Sequence, residues 1–162
     1  MPVFYVDTSA LVKRYRTELG TEVVEELFGD PRPQDRFFIS FLSILEVTSG
    51  VIRLAKGGQL QQDTAQEILA RFRHDVSEFF RVWPLNEDIA VAAVTVAETH
   101  RLRSADAIHL ATAQAIGSLV SGTRVVMVSS DRELLDAAEA AGLLPLDPQA
   151  ADAAERLRQA RR

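Results

Sequence analysis

Short apolar runs separated by amphipathic stretches organise this chain. Val3–Val6 and Arg124–Val128 are nearly continuous in apolar residues, and Arg36–Ser40 carries Phe37, Phe38 and Ile39 in a row. Runs of this length without polar alternation predict strands covered on both faces. Arg81–Leu85 reads as a shorter strand, and Pro84 predicts an edge or a strand end. Leu143–Leu146 reads as the last strand.

Between these runs the apolar period changes to that of a helix. A helical segment is predicted over Ala10–Tyr15, with Thr8 or Ser9 as its cap, and another over Thr21–Phe28 with a Thr21 cap. Leu42–Leu54 and Leu60–Phe80 predict an αα-hairpin around Gly57 and Gly58, the second helix bearing Ile68, Phe72, Val76 and Phe80 as a stripe. Asn86 caps a helix to about His100. Ser104 and Gly117 bracket an alanine-rich helix, and Arg132–Ala141 ends at Gly142. Strands alternating with helices predict an α/β fold, a three-layer α/β/α sandwich around a central parallel sheet. The expected division is one domain over residues 1–147, followed by a C-terminal tail or helix over 148–162.

Composition narrows the class. The chain has 162 residues, 47% hydrophobic and 25% charged, as in ordinary globular domains. It has no cysteine, which excludes disulfides, thiolate metal sites and a Cys nucleophile. No apolar run reaches membrane-spanning length, and the first residues lack the charge and length of a signal peptide, so a cytoplasmic protein without membrane association is expected. The net charge of −5 does not favour a nucleic-acid partner, and the excess of 16 Arg over two Lys is neutral on this point.

The candidate chemistry lies in four acids. Asp7 follows the first strand at once, Asp131 follows the Val125–Val128 run, Glu46 interrupts an apolar helix, and Asp106 opens the alanine-rich helix. Each has a structural reading when taken singly, since acids favour the first turn of a helix. Open α/β sheets gather ligands at the carboxyl ends of their strands, however, and the four are expected to meet there. Carboxylates in contact repel, and a divalent cation relieves the repulsion. An all-oxygen set favours Mg²⁺ or Mn²⁺, which suits phosphate chemistry, with the cation acidifying water and steadying a leaving oxygen. Thr8, Ser9 and Ser129 are candidate supporting hydroxyls. There is no His pair at zinc spacing and no glycine-rich phosphate loop.

Four segments in this order resemble the PIN-domain ribonucleases, above all the VapC-type toxins of toxin–antitoxin pairs. They are Val6–Lys13, Ser43–Glu46, Arg103–Ala113 and Val128–Leu134, and the resemblance extends over about residues 3–146. It implies a Mg²⁺- or Mn²⁺-dependent endoribonuclease with Asp7, Glu46, Asp106 and Asp131 as its catalytic metal-binding quartet. It also implies RNA as substrate, a cognate antitoxin seated beside the αα-hairpin, and a homodimer. His109 fits the family pattern too, but reads equally well as a packed core histidine and stays outside the catalytic set. Two other readings remain: a PIN-type nuclease without an antitoxin, and a non-catalytic RNA- or protein-binding module of the same fold. A phosphoacceptor receiver domain is disfavoured, because no acidic cluster follows the first strand and no Lys follows a late one.

Overall fold

A computed structural model describes residues 2–120 and 122–162; Met1, where the expected domain begins, and Ser121 lie outside the described residues. Five strands form one parallel sheet: β1 (Val3–Val6), β2 (Arg36–Ser40), β3 (Arg81–Trp83), β4 (Val125–Val128) and β5 (Leu144–Leu146). Their order is β3-β2-β1-β4-β5, so β1 is central and β3, the strand before Pro84, is an edge. The helices are α1 (Thr8–Leu11), prolonged by a tighter turn over Val12–Arg14, α2 (Thr21–Gly29), α3 (Phe41–Lys56), α4 (Gln62–Glu78), α5 (Glu87–His100), α6 (Ser104–Leu119), α7 (Arg132–Ala140) and α8 (Ala153–Ala160).

The alternation of side chains along β1 explains the three layers. Phe4 and Val6 join a core with Leu11, Val24, Leu27, Val47 and Phe72, on the side of α1 to α4 and α8. Val3 and Tyr5 join the opposite core, with Ala93, Leu110, Ile116 and Leu134 of α5 to α7. Alanines at 107, 111 and 113 are buried and let α6 lie close to the sheet. Near the amino end of the sheet Phe4, Phe28, Phe37, Phe79 and Phe80 pack as stacked and edge-on pairs 5.0–5.6 Å apart.

Several helix ends differ from the sequence reading. The cap of α1 is Asp7, whose Oδ1 accepts from the Ala10 N–H, rather than Thr8 or Ser9. Gly20 caps α2 with φ 90°, and Thr21 is the first helical residue. A Cβ at residue 20 would stand 2.8 Å from the Pro148 carbonyl oxygen, so both conformation and space require glycine there. At α6 the cap is Arg103, and the helix runs through Gly117 to Leu119. Gly117 would make only ordinary contact if it carried a Cβ, so nothing there forces a stop.

Asp75 of α4 fastens the turn after α1. It accepts from Arg14 Nε at 2.8 Å and from the Tyr15 hydroxyl at 2.7 Å. Burial raises the Asp75 pKa, but the donors from Arg14 and Tyr15 outweigh it, and the carboxyl sits below the usual carboxylate range. A lowered native pKa means stability that is present above the unfolded value of about 4 and lost as pH falls through the native one. Asp75→Asn is therefore expected to cost about 2 kcal/mol at pH 7. Melting curves of variant and wild type should draw together as pH falls below the ordinary carboxylate range; a gap independent of pH would contradict the assignment.

Candidate active site at the carboxyl edge of the sheet

β1 and β4 are neighbours in register, Val6 beside Val128, so their carboxyl ends emerge side by side. Asp7 and Asp131 lie just past these ends, and each caps the helix that follows. The hydroxyls lock the two ends together. Ser9 Oγ donates to Asp7 Oδ1 at 2.8 Å and accepts from the Ser130 N–H at 2.8 Å. Ser129 Oγ lies 3.4 Å from Ser9 Oγ and accepts from the Asp131 N–H. Among the described residues no donor reaches Asp7 Oδ2. Burial pushes the Asp7 carboxyl up, against the opposing pull of His109 and its own hydrogen bonds.

Glu46 enters from α3, which starts straight after β2. Its Oε1 accepts from Thr8 Oγ1 at 2.8 Å and lies 2.8 Å from His109 Nε2. Burial raises the Glu46 pKa, but His109 and Thr8 outweigh it and hold the carboxyl low. Asp106, in the first turn of α6, and Asp131 flank Arg103. Arg103 Nε stands 3.4 Å from Asp106 Oδ2, and its Nη2 stands 3.3 Å from Asp131 Oδ2. Burial and the charge of Asp131 push the Asp106 carboxyl up.

Glu46 is thus held by His109 and Thr8, Asp7 by Ser9, and Asp106 and Asp131 share Arg103. Among the described residues no three carboxylate or imidazole groups are gathered for a single ion.

The PIN domain family model matches residues 4–139, most of the chain and all of this site. The chain belongs to the PIN-domain family. Ribonuclease VapC49 of Mycobacterium tuberculosis is 32% identical over 145 residues, which cover 88% of this chain and 93% of that protein. FitAcB from Neisseria gonorrhoeae superposes with a TM-score of 0.67 at 19% identity, covering 90% of this chain and 97% of that one. A toxin–antitoxin complex from Klebsiella pneumoniae has a chain that superposes with a TM-score of 0.55 at 23% identity, over 78% of this chain and 85% of that one.

In this PIN domain the donor set fits a hard divalent cation. The acids supply carboxylate oxygen only, with no sulfur. Asp7 Oδ2, Glu46 Oε2 and Asp106 Oδ1 carry no protein donor among the described residues. Arg103, the group between Asp106 and Asp131, is 76% exposed and free to swing into solvent. Sequence reasoning missed two participants. From sequence His109 reads equally well as a packed histidine and as a group bonded near the site; it is buried, and its Nε2 reaches Glu46. From sequence Arg103 reads only as part of a motif. Its position three residues before Asp106 was the signal, since that spacing puts the two on one face of a helical turn.

Proposed function

We propose that this PIN domain is a Mg²⁺- or Mn²⁺-dependent endoribonuclease acting in the cytoplasm as the toxin of a toxin–antitoxin pair. The observation that carries the reading is Asp7 and Asp131 at adjacent strand ends, with Glu46 tied to them through Thr8 and Asp106 through Arg103, each of Asp7 and Glu46 using one oxygen for these protein bonds. The identity with Ribonuclease VapC49 supports RNA as the substrate. Asp7, Glu46, Asp106 and Asp131 would hold the cation, which supplies charge neutralisation at the scissile phosphate and activation of water. Ser9 and Ser129 keep the ends of β1 and β4 fixed, and Thr8 orients Glu46. Arg103, displaced from the acids, faces solvent where a phosphate would approach. The test is cleavage of a mixed RNA pool with Mg²⁺, with Mn²⁺ and with a chelator. Cleavage that persists in the chelator contradicts the metal assignment, and no cleavage with either metal contradicts the enzyme.

The partner reading rests on an apolar groove of about 120 Å³ between the turn after α1 and helices α3 and α4. Val12, Tyr15, Val47, Val51 and Ile68 line it, and Glu46 stands at its rim. An amphipathic antitoxin helix suits such a groove, and a basic side chain on it would meet Glu46. Gly50 lines the groove, and a Cβ there would meet no atom within 4 Å. Gly50→Gln is therefore expected to keep RNA cleavage and to raise stability by up to about 1 kcal/mol. The same change should weaken antitoxin binding at least tenfold in a calorimetric titration. Unchanged affinity would move the antitoxin elsewhere. A homodimer is also proposed, on the exposed Val91 and Val94, one turn apart on α5.

A further inference from the structure

We infer that His109, held from behind by Tyr5, is a positioning residue that presents Glu46 to the cation as a one-oxygen ligand. The inference rests on the metal-dependent reading above and adds to it a buried relay outside the four acids. The relay crosses three elements: Tyr5 on β1, His109 on α6 and Glu46 on α3.

The Tyr5 hydroxyl lies 2.7 Å from His109 Nδ1, and His109 Nε2 lies 2.8 Å from Glu46 Oε1. Tyr5 is fully buried and His109 is 2% exposed, so water does not compete for the bond between them, while the Glu46 end is partly exposed. The directions follow from donor and acceptor chemistry. A carboxylate only accepts, so Nε2 carries the hydrogen, and Nδ1 is then free to accept from the Tyr5 hydroxyl. Burial raises the Tyr5 pKa and keeps the phenol a donor. The tautomer of His109 is thereby set from the core side, as in a histidine fixed by its outer partner.

The consequence falls on Glu46. With Thr8 and His109 both on Oε1, the carboxylate cannot rotate without losing two hydrogen bonds, and Oε2 alone remains for a ligand. A glutamate has more side-chain freedom to lose than an aspartate, and a half-exposed one on a helix would otherwise sample several rotamers.

The experiment is Mn²⁺ binding read by electron paramagnetic resonance, alongside thermal melting, on wild type, His109→Leu, His109→Gln and Tyr5→Phe. Gln places an amide N–H near the Nε2 position and so restores the bond to Glu46. We expect His109→Leu to raise the Mn²⁺ dissociation constant about 10–100-fold. His109→Gln should remain within about threefold of wild type, and Tyr5→Phe should fall between them. Folded His109→Leu with wild-type affinity overturns the inference, as does His109→Gln binding as weakly as His109→Leu. If His109→Leu does not fold, Tyr5→Phe decides: wild-type Mn²⁺ affinity in that variant overturns the relay. Absence of Mn²⁺ binding by wild type itself overturns the metal-dependent reading, and the relay with it, and is told apart because it appears before any substitution.

Discussion

Asp106→Asn is expected to lower RNA cleavage by about a thousandfold, the rate equivalent of the several kcal/mol a bound cation contributes to a phosphoryl transition state. Asn has the size of Asp and can still accept a hydrogen bond, so α6 keeps its start, but the negative charge is gone. The accompanying stability effect has the opposite sign to that of most substitutions. The Asp106 carboxyl is pushed up by burial and by Asp131. A native pKa above the unfolded one means that the ionised group weakens the fold at neutral pH and ceases to do so as pH falls below the ordinary carboxylate range. Removing the charge should leave the melting temperature in metal-free buffer unchanged or higher. Arg103 retains Asp131 as a partner. Added Mg²⁺ should then raise the melting temperature of the wild type more than that of the variant, because a ligand selective for the native state stabilises it. Cleavage at the wild-type rate would remove Asp106 from the metal set. A variant that melts well below wild type without metal would return it to a structural charge at the start of a buried helix.

The parts of this fold legible in the sequence are those encoded in neighbouring residues. Val3–Val6 and Val125–Val128 are strands because unbroken apolar runs of four suit only a position covered on both faces, and both occupy the middle of the sheet. The caps were less legible, since Asp7, Thr8 and Ser9 all have capping side chains and the backbone path alone decides among them. Gly117 misleads for a different reason. A glycine inside a helix costs about 1 kcal/mol against alanine, and burial of Ala113 and Ile116 on the sheet exceeds that. Asp7, Asp131 and Asp106 are legible as strand-end and helix-start residues and Glu46 as a break in an apolar helix, but the groups that hold Glu46, Asp106 and Asp131 are not. Those groups are Arg103 and a histidine 63 positions from its glutamate. Contacts of that separation leave no periodic trace.

Arg161→Ala is expected to destabilise the protein by about 3–5 kcal/mol, although residue 161 lies far outside the active site and next to the end of the chain. The C-terminal segment packs as α8, with Ala153 and Leu157 buried against the core shared by Val24, Leu27 and Phe28. Its last turn delivers Arg161 to Asp35 at 2.8 Å, where the side chains are 5% and 0% exposed. Arg161 also donates to the Leu27 carbonyl at 2.9 Å, and its guanidinium lies 6.0 Å from the Phe4 ring centroid. Asp35 Oδ2 accepts in addition from the Arg32 N–H, which ties the β2 approach to α8. Removing the guanidinium leaves a carboxylate buried without its counter-ion, and that loss outweighs any single surface contact. At this chain length the change corresponds to a drop of about 10 °C in melting temperature. The pair is not ideal, since Asp35 Oδ1 and Arg161 Nε are buried without partners among the described residues. Removing both charges should therefore cost less than removing either alone. A double-mutant cycle over Asp35→Ala and Arg161→Ala measures this. Strictly additive losses would mean that the two side chains do not interact, and an unchanged melting temperature in Arg161→Ala would mean that α8 is held by its apolar face alone.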